Sequence, residues 1–133
     1  MRHASHKVAA IARIAELYPR LPLILIGDSG QEDPEIYREI VRRYPARVLA
    51  IYIRNVTPDP ARSAAIRALA DEVREAGSTL ILADDTLAAA RHAAERGWIA
   101  REALEDVAAE KRADDPADAP RAPTVVVEGS TER

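Results

Sequence analysis

Two aspartates, Asp28 and Asp33, stand five residues apart in the stretch LPLILIGDSGQEDPEIY, residues 21–37, where an apolar run stops at Gly27. Carboxylates gathered in one loop suit a hard cation. Mg²⁺ prefers oxygen ligands in an octahedron and takes one or two carboxylates while keeping several waters. Asp28 would then be a direct ligand, and Asp33 would orient the metal-bound waters. The plainer reading of the same residues is local. Asp33 caps the helix that opens at Pro34, and Asp28 stabilises a turn. Spacing alone leaves both open.

Further side chains bear on the same loop. Ser29 follows Asp28 directly, and Arg54 ends the next apolar run, so either could meet a phosphate; for Arg54 the alternative is an ordinary surface arginine. His3 and His6 flank Lys7 without a soft-ligand pattern and are expected in solvent. His92 lies on a helical stretch and needs no special role, and Trp98 is expected to pack a helix corner onto the core.

Helices and strands must alternate to hold these residues. Residues 5–18, SHKVAAIARIAELY, carry Val8, Ile11, Ile14, Ala15 and Tyr18 at helical spacing, with Ser5 as N-cap and Pro19 as terminator. LILIG, 23–27, is continuously apolar, the pattern of a strand buried on both faces. A helix over 34–44 follows, then a strand over 47–54, the loop NVTPDP, a helix over 61–77 stopped by Gly77, and a strand over 78–83. The spacing predicts two more helices, 84–97, ended by Gly97, and 99–112. Such alternation predicts an α/β fold with a parallel sheet covered on both sides. Sites in such sheets form beyond the carboxyl ends of the strands, which is where Asp28 stands. Gly27 and Gly30 would give the backbone room to turn there.

Bulk properties narrow the class. The 133 residues suffice for one modest domain, expected over 1–112. The Pro-, Ala- and Asp-rich end, 113–133, reads as a disordered tail, with TVVVE inside it as a weak candidate edge strand. A net charge of −3 gives no electrostatic basis for binding nucleic acid. The absence of cysteine excludes disulfides and thiolate metal sites. No apolar run could span a bilayer, and the first residues read as a helix rather than a signal peptide, so a cytoplasmic protein without a transmembrane segment is expected. Three strands make a thin sheet whose open edge invites self-association or a partner chain.

GDSGQEDPEIY with the following strand AIYIRNV resembles the phosphatidate phosphatase family named for the yeast actin-patch protein, within the haloacid dehalogenase superfamily. The resemblance takes in residues 3–110, including the helical segment DDTLAAARHAAERGWI. It implies a haloacid dehalogenase-like three-layer sheet lacking its N-terminal strands. Asp28 and Asp33 would hold a catalytic Mg²⁺, and Lys7 would offset charge on nucleophile and phosphate. The implied reaction is phosphomonoester hydrolysis, possibly of a phospholipid, through attack by an aspartate in a DxDDT pattern. That pattern does not precede Lys7. In ILADDT, residues 81–86, the nucleophile position falls on Leu82, and Asp84 and Asp85 read as helix-start residues. The resemblance therefore implies a domain fragment inactive alone, whose Lys7→Ala variant would be nearly silent. The alternatives are a non-catalytic binding protein and a half-enzyme completed by a separate chain.

Overall fold

The computed structural model describes residues 2–56 and 59–113, with side chains from residue 6 onward. The expected tail, TVVVE included, lies outside the described residues apart from Ala113. In chain order the elements are α1 (Arg2–Leu17), β1 (Leu23–Asp28), α2 (Asp33–Arg43), β2 (Val48–Arg54), α3 (Pro60–Glu75), β3 (Leu80–Ala83), α4 (Thr86–Glu95) and α5 (Ala103–Ala113). They group into two compact units, 2–82 and 83–113, with the boundary inside β3.

The first unit is built on a parallel sheet ordered β1-β2-β3. β1 and β2 run in parallel register from Ile24↔Ala50 to Asp28↔Arg54, which brings Asp28 and Arg54 to the same end of the sheet. The α/β class and the parallel three-stranded sheet are as the alternation predicts. Central β2 buries both faces: Ala50 and Tyr52 on one, Ile51 and Ile53 on the other. β1 does not match its prediction of burial on both faces. It pairs only with β2 among the described residues, and Ile26 is 36% exposed. An equally apolar run is half-covered because it has a neighbour on one side only.

The helices end as their sequences dictate. α2 has Pro34 in its first turn, acids there and Arg42 and Arg43 in its last, complementing the peptide dipoles. Asp59 caps α3 by accepting from Ala61 N at 3.0 Å, ahead of Pro60. At the other end Gly77 takes φ +92° while Ser78 N donates to Val73 O at 3.0 Å, closing the last turn. α1 departs from expectation. It begins at Arg2, so Ser5 lies within it, and its inward stripe is Val8, Ile11, Ala12 and Ala15. Ile14 is exposed because 100° per residue carries it off that stripe, and Tyr18, also exposed, lies just past the last helical residue, Leu17.

In the second unit Asp85 caps α4, accepting from Ala88 N at 2.9 Å with extended backbone. That hydrogen bond, with Lys111 3.6 Å away, holds its carboxyl below the usual value. Gly97 (φ +80°) ends the turn, with Trp98 N donating to Ala93 O at 2.9 Å. Trp98 is half-buried, edge-on to His92 and under the Arg96 guanidinium. Expected to pack a helix corner onto the core, it instead meets these two side chains and is not among the buried core residues. α5 begins at Ala103, four residues later than predicted.

No helix among the described residues is long and apolar enough to cross a membrane. Truncating the core at its centre should cost most. Ile53→Ala, at a fully buried position of β2, is expected to lower unfolding free energy by about 3 kcal/mol, measured by urea denaturation.

Candidate functional site

The site begins with the buried carboxylate of Asp33, 0% exposed on the first turn of α2. A carboxylate buried this deeply must be paired and hydrogen-bonded to remain ionised. Lys7, on α1, supplies the charge: its Nζ lies 2.6 Å from Asp33 Oδ1. The backbone N–H of Asp28, ending β1, donates to Asp33 Oδ2 at 3.1 Å. One side chain thus ties together α1, the mouth of β1 and the start of α2.

Gly27 makes this approach possible. A Cβ placed there would fall 2.6 Å from Asp33 Cβ and 2.7 Å from its Cγ, so the carboxylate occupies the space that any side chain would fill. Freedom to turn, the role expected of Gly27 and Gly30, is not the reason. Neither has positive φ. Glycine serves at position 27 by close approach alone.

The two readings of the aspartates divide between them. Asp28 stabilises a turn, its Oδ1 accepting from Gly30 N at 3.0 Å. Asp33 is not a cap. Glu32 holds the N-cap position of α2 without a side-chain hydrogen bond, while both Asp33 oxygens face Lys7 and Asp28.

Ser29 is 3% exposed. Its hydroxyl donates to Asn55 Oδ1 at 3.3 Å and accepts from Val56 N at 3.0 Å, and its N–H donates to Arg54 O at 2.9 Å. These bonds pin the loop to the end of β2. Expected to meet a phosphate, the hydroxyl is instead turned inward, because a buried Oγ must satisfy itself locally. Arg54 is exposed at the strand mouth beside Asp28, without an ion-pair partner among the described residues. His6 is exposed as expected, and the side chain of His3 lies outside the described set.

Arg62, on α3, has no motif around it and its importance is invisible in the sequence. Its guanidinium donates to Ser29 O at 3.2 Å, Gln31 O at 2.9 Å and both Glu35 oxygens at 2.5 and 3.0 Å. Burial pushes the Glu35 carboxyl up, but the hydrogen bond and charge of Arg62, with Arg38 adding, outweigh it, so Glu35 sits below its usual value. Hydrogen bonding to Glu35 correspondingly raises Arg62.

This donor set can be tested for fit to a cation. The candidate atoms are hard carboxylate oxygens, those of Asp28 partly exposed and those of Asp33 buried and already engaged by Lys7 and the Asp28 N–H, and no group of three or more potential ligands gathers among the described residues. Two carboxylates fit a cation that keeps much of its water, as Mg²⁺ does, and do not fit one needing an all-protein cage.

Residues 1–55 match the family model for the catalytic domain of phosphatidate phosphatase APP1. Over this segment the chain is similar to the APP1 catalytic domain. Phosphatidate phosphatase APP1 of Saccharomyces cerevisiae is 43% identical over 51 residues, covering 38% of this chain and 9% of the yeast protein. An uncharacterized protein of Schizosaccharomyces pombe is 46% identical over 37 residues, covering 28% of this chain and 6% of that protein. The chain thus spans under a tenth of the length of either relative. No solved structure matches it. The APP1 match takes in Lys7, Asp28, Ser29, Asp33 and Arg54 and stops before Arg62. It is shorter than the expected span of 3–110, and DDTLAAARHAAERGWI lies outside it.

Two outcomes follow. Lys7→Ala, expected from sequence to be nearly silent, should instead cost about 3 kcal/mol in urea denaturation, because it leaves Asp33 buried without its counter-charge. The Arg62–Glu35 pair should support the fold in one pH window. Its glutamate is lowered in the folded state, so the contribution is full above the unfolded value near about 4.3 and lost as pH falls through the lower folded value. Urea midpoints of wild type and Glu35→Gln should therefore differ at neutral pH and converge in acid, and a pH-independent gap would contradict this.

Proposed function

We propose that the chain carries the metal-holding and charge-balancing part of a Mg²⁺-dependent, phosphatidate-type phosphatase domain with a haloacid dehalogenase-like sheet. The observation that supports this most is the Lys7–Asp33–Asp28 arrangement at the mouth of β1, inside the segment that matches the APP1 catalytic domain. Mg²⁺, when bound, would neutralise phosphate oxygens and make the phosphorus easier to attack. Asp28, the more exposed acid, would be its direct ligand; Asp33, fixed by Lys7 and the Asp28 N–H, would orient the waters around it. Lys7 pairs with the buried Asp33 carboxylate and adds positive charge where a phosphate would sit. Arg54 is the exposed cation nearest in register and would meet the substrate phosphate.

The attacking aspartate is not among these residues in our reading. No Asp-x-Asp occurs anywhere in the sequence, and in ILADDT the nucleophile position is Leu82 while Asp85 is committed to capping α4. The 133 residues by themselves would then bind the cation and turn nothing over. The substrate class, a phosphomonoester on a phospholipid, rests on the likeness to the yeast enzyme's name alone.

A second reading has a specific observation behind it. β1 is paired on one side only among the described residues, and Ile14, Leu17, Tyr18, Leu21 and Ile26 are exposed on and just before it. A strand from another chain, or another copy of this one, would find unpaired backbone and apolar surface there. On this reading the nucleophile arrives on a separate polypeptide.

Mg²⁺ at millimolar concentration should raise the thermal midpoint of the wild-type chain, since a ligand bound only by the folded state stabilises it. Asp28→Asn should abolish that rise. Equal rises in the two proteins would remove Asp28 from the metal site.

A further inference from the structure

We propose that Arg62 is a positioning residue for the candidate cation site, holding the Ser29–Glu35 turn in the shape that presents Asp28 and Asp33. The inference rests on the reading of those two acids as a cation-holding pair. Its substance is in the four hydrogen bonds that Arg62 makes from α3. Two go to backbone carbonyls, of Ser29 and Gln31, and two to the carboxylate of Glu35.

An exposed Arg–Glu pair is ordinarily worth little and positions nothing. This one differs in what it spans. The Arg62 side chain is 23% exposed, and its planar fork bonds the turn immediately after Asp28 and the first turn of the helix that begins with Asp33. The guanidinium therefore bridges the two ends of the segment that separates the aspartates. Without it, Ser29 Oγ would still pin the start of the turn to Asn55 and Val56, while Gln31 O and Glu35 would lose their partner. Carboxylates that must converge on one ion gain affinity from a turn that is already fixed, because less conformational freedom is lost on binding. Side chains that support metal ligands from behind commonly alter affinity by about 10–100-fold. Lysine could supply the charge of Arg62 but not its fork, so it would restore only part of the effect.

The test uses the full 133-residue chain and Mn²⁺ as the probe, titrated by loss of the free-ion signal in electron paramagnetic resonance. Amide hydrogen exchange is measured by NMR in parallel without metal. Wild type should bind Mn²⁺ and Asp28→Asn should not. Arg62→Gln should bind about tenfold more weakly, and Arg62→Lys should fall between it and wild type. In metal-free Arg62→Gln the Gly30 amide should exchange faster while the Ile51 amide, in the sheet, keeps its wild-type rate. Wild-type affinity in Arg62→Gln with loss in Asp28→Asn would overturn the role of Arg62 and leave the cation site standing. Faster exchange at Gly30 and Ile51 alike would make Arg62 a general support of the fold and also overturn it. Indistinguishable Mn²⁺ behaviour in wild type and Asp28→Asn would overturn the cation site itself, and this inference with it.

Discussion

The first unit is organised around the cost of burying one charge. Asp33 has no contact with solvent, and an ionised carboxylate survives there only if its oxygens are met by a counter-charge and hydrogen-bond donors. Lys7 and the Asp28 N–H meet that demand from different elements. The requirement fixes where α1 must lie against the sheet and how the chain must leave β1. It also fixes why position 27 lacks a side chain. Replacing the pair with apolar groups could be neutral for stability in principle. What the charges add is a defined arrangement of acids at a sheet mouth, which an apolar plug would not supply.

Around that centre the turn is held from two further directions. The buried Ser29 hydroxyl joins it to the end of β2, and Arg62 joins it to α3. Tyr37, on α2, donates to Ile26 O at 2.8 Å and secures the helix to β1 just behind the site. A turn anchored by α1, β2 and α3 has little freedom left, and rigidity of this kind would suit the proposed two-carboxylate cation site, since so few ligands can do little to organise themselves. Arg54 is different. It projects from the end of β2 into solvent, where a side chain can move to meet an incoming anion.

The sheet itself is uneven. β2 is covered on both faces, whereas β1, which ends in Asp28, has one bonded neighbour among the described residues and an apolar side chain, Ile26, open to solvent. The strand that leads into the candidate site is therefore less enclosed than its neighbour β2.

The sequence by itself determined the elements and their order. Alternating apolar runs and 3.6-residue spacing gave three strands separated by helices, and Pro34, Gly77 and Gly97 marked helix ends because their backbone preferences are local. It also placed Asp28 at a strand end, since that follows from the strand's length alone. Only the tertiary structure decided what the acids do. Asp33 could have been a cap, and became a buried ion-pair partner because α1 brings Lys7 to it from 26 residues away. Ser29 turned inward for the same kind of reason, once the end of β2 offered Asn55 and Val56. Arg62 carried no signal at all: a bond to a backbone carbonyl 33 residues distant leaves no pattern in spacing or composition. Local conformational preference is written residue by residue, whereas the partner of a buried polar group is chosen by whichever element packs against it.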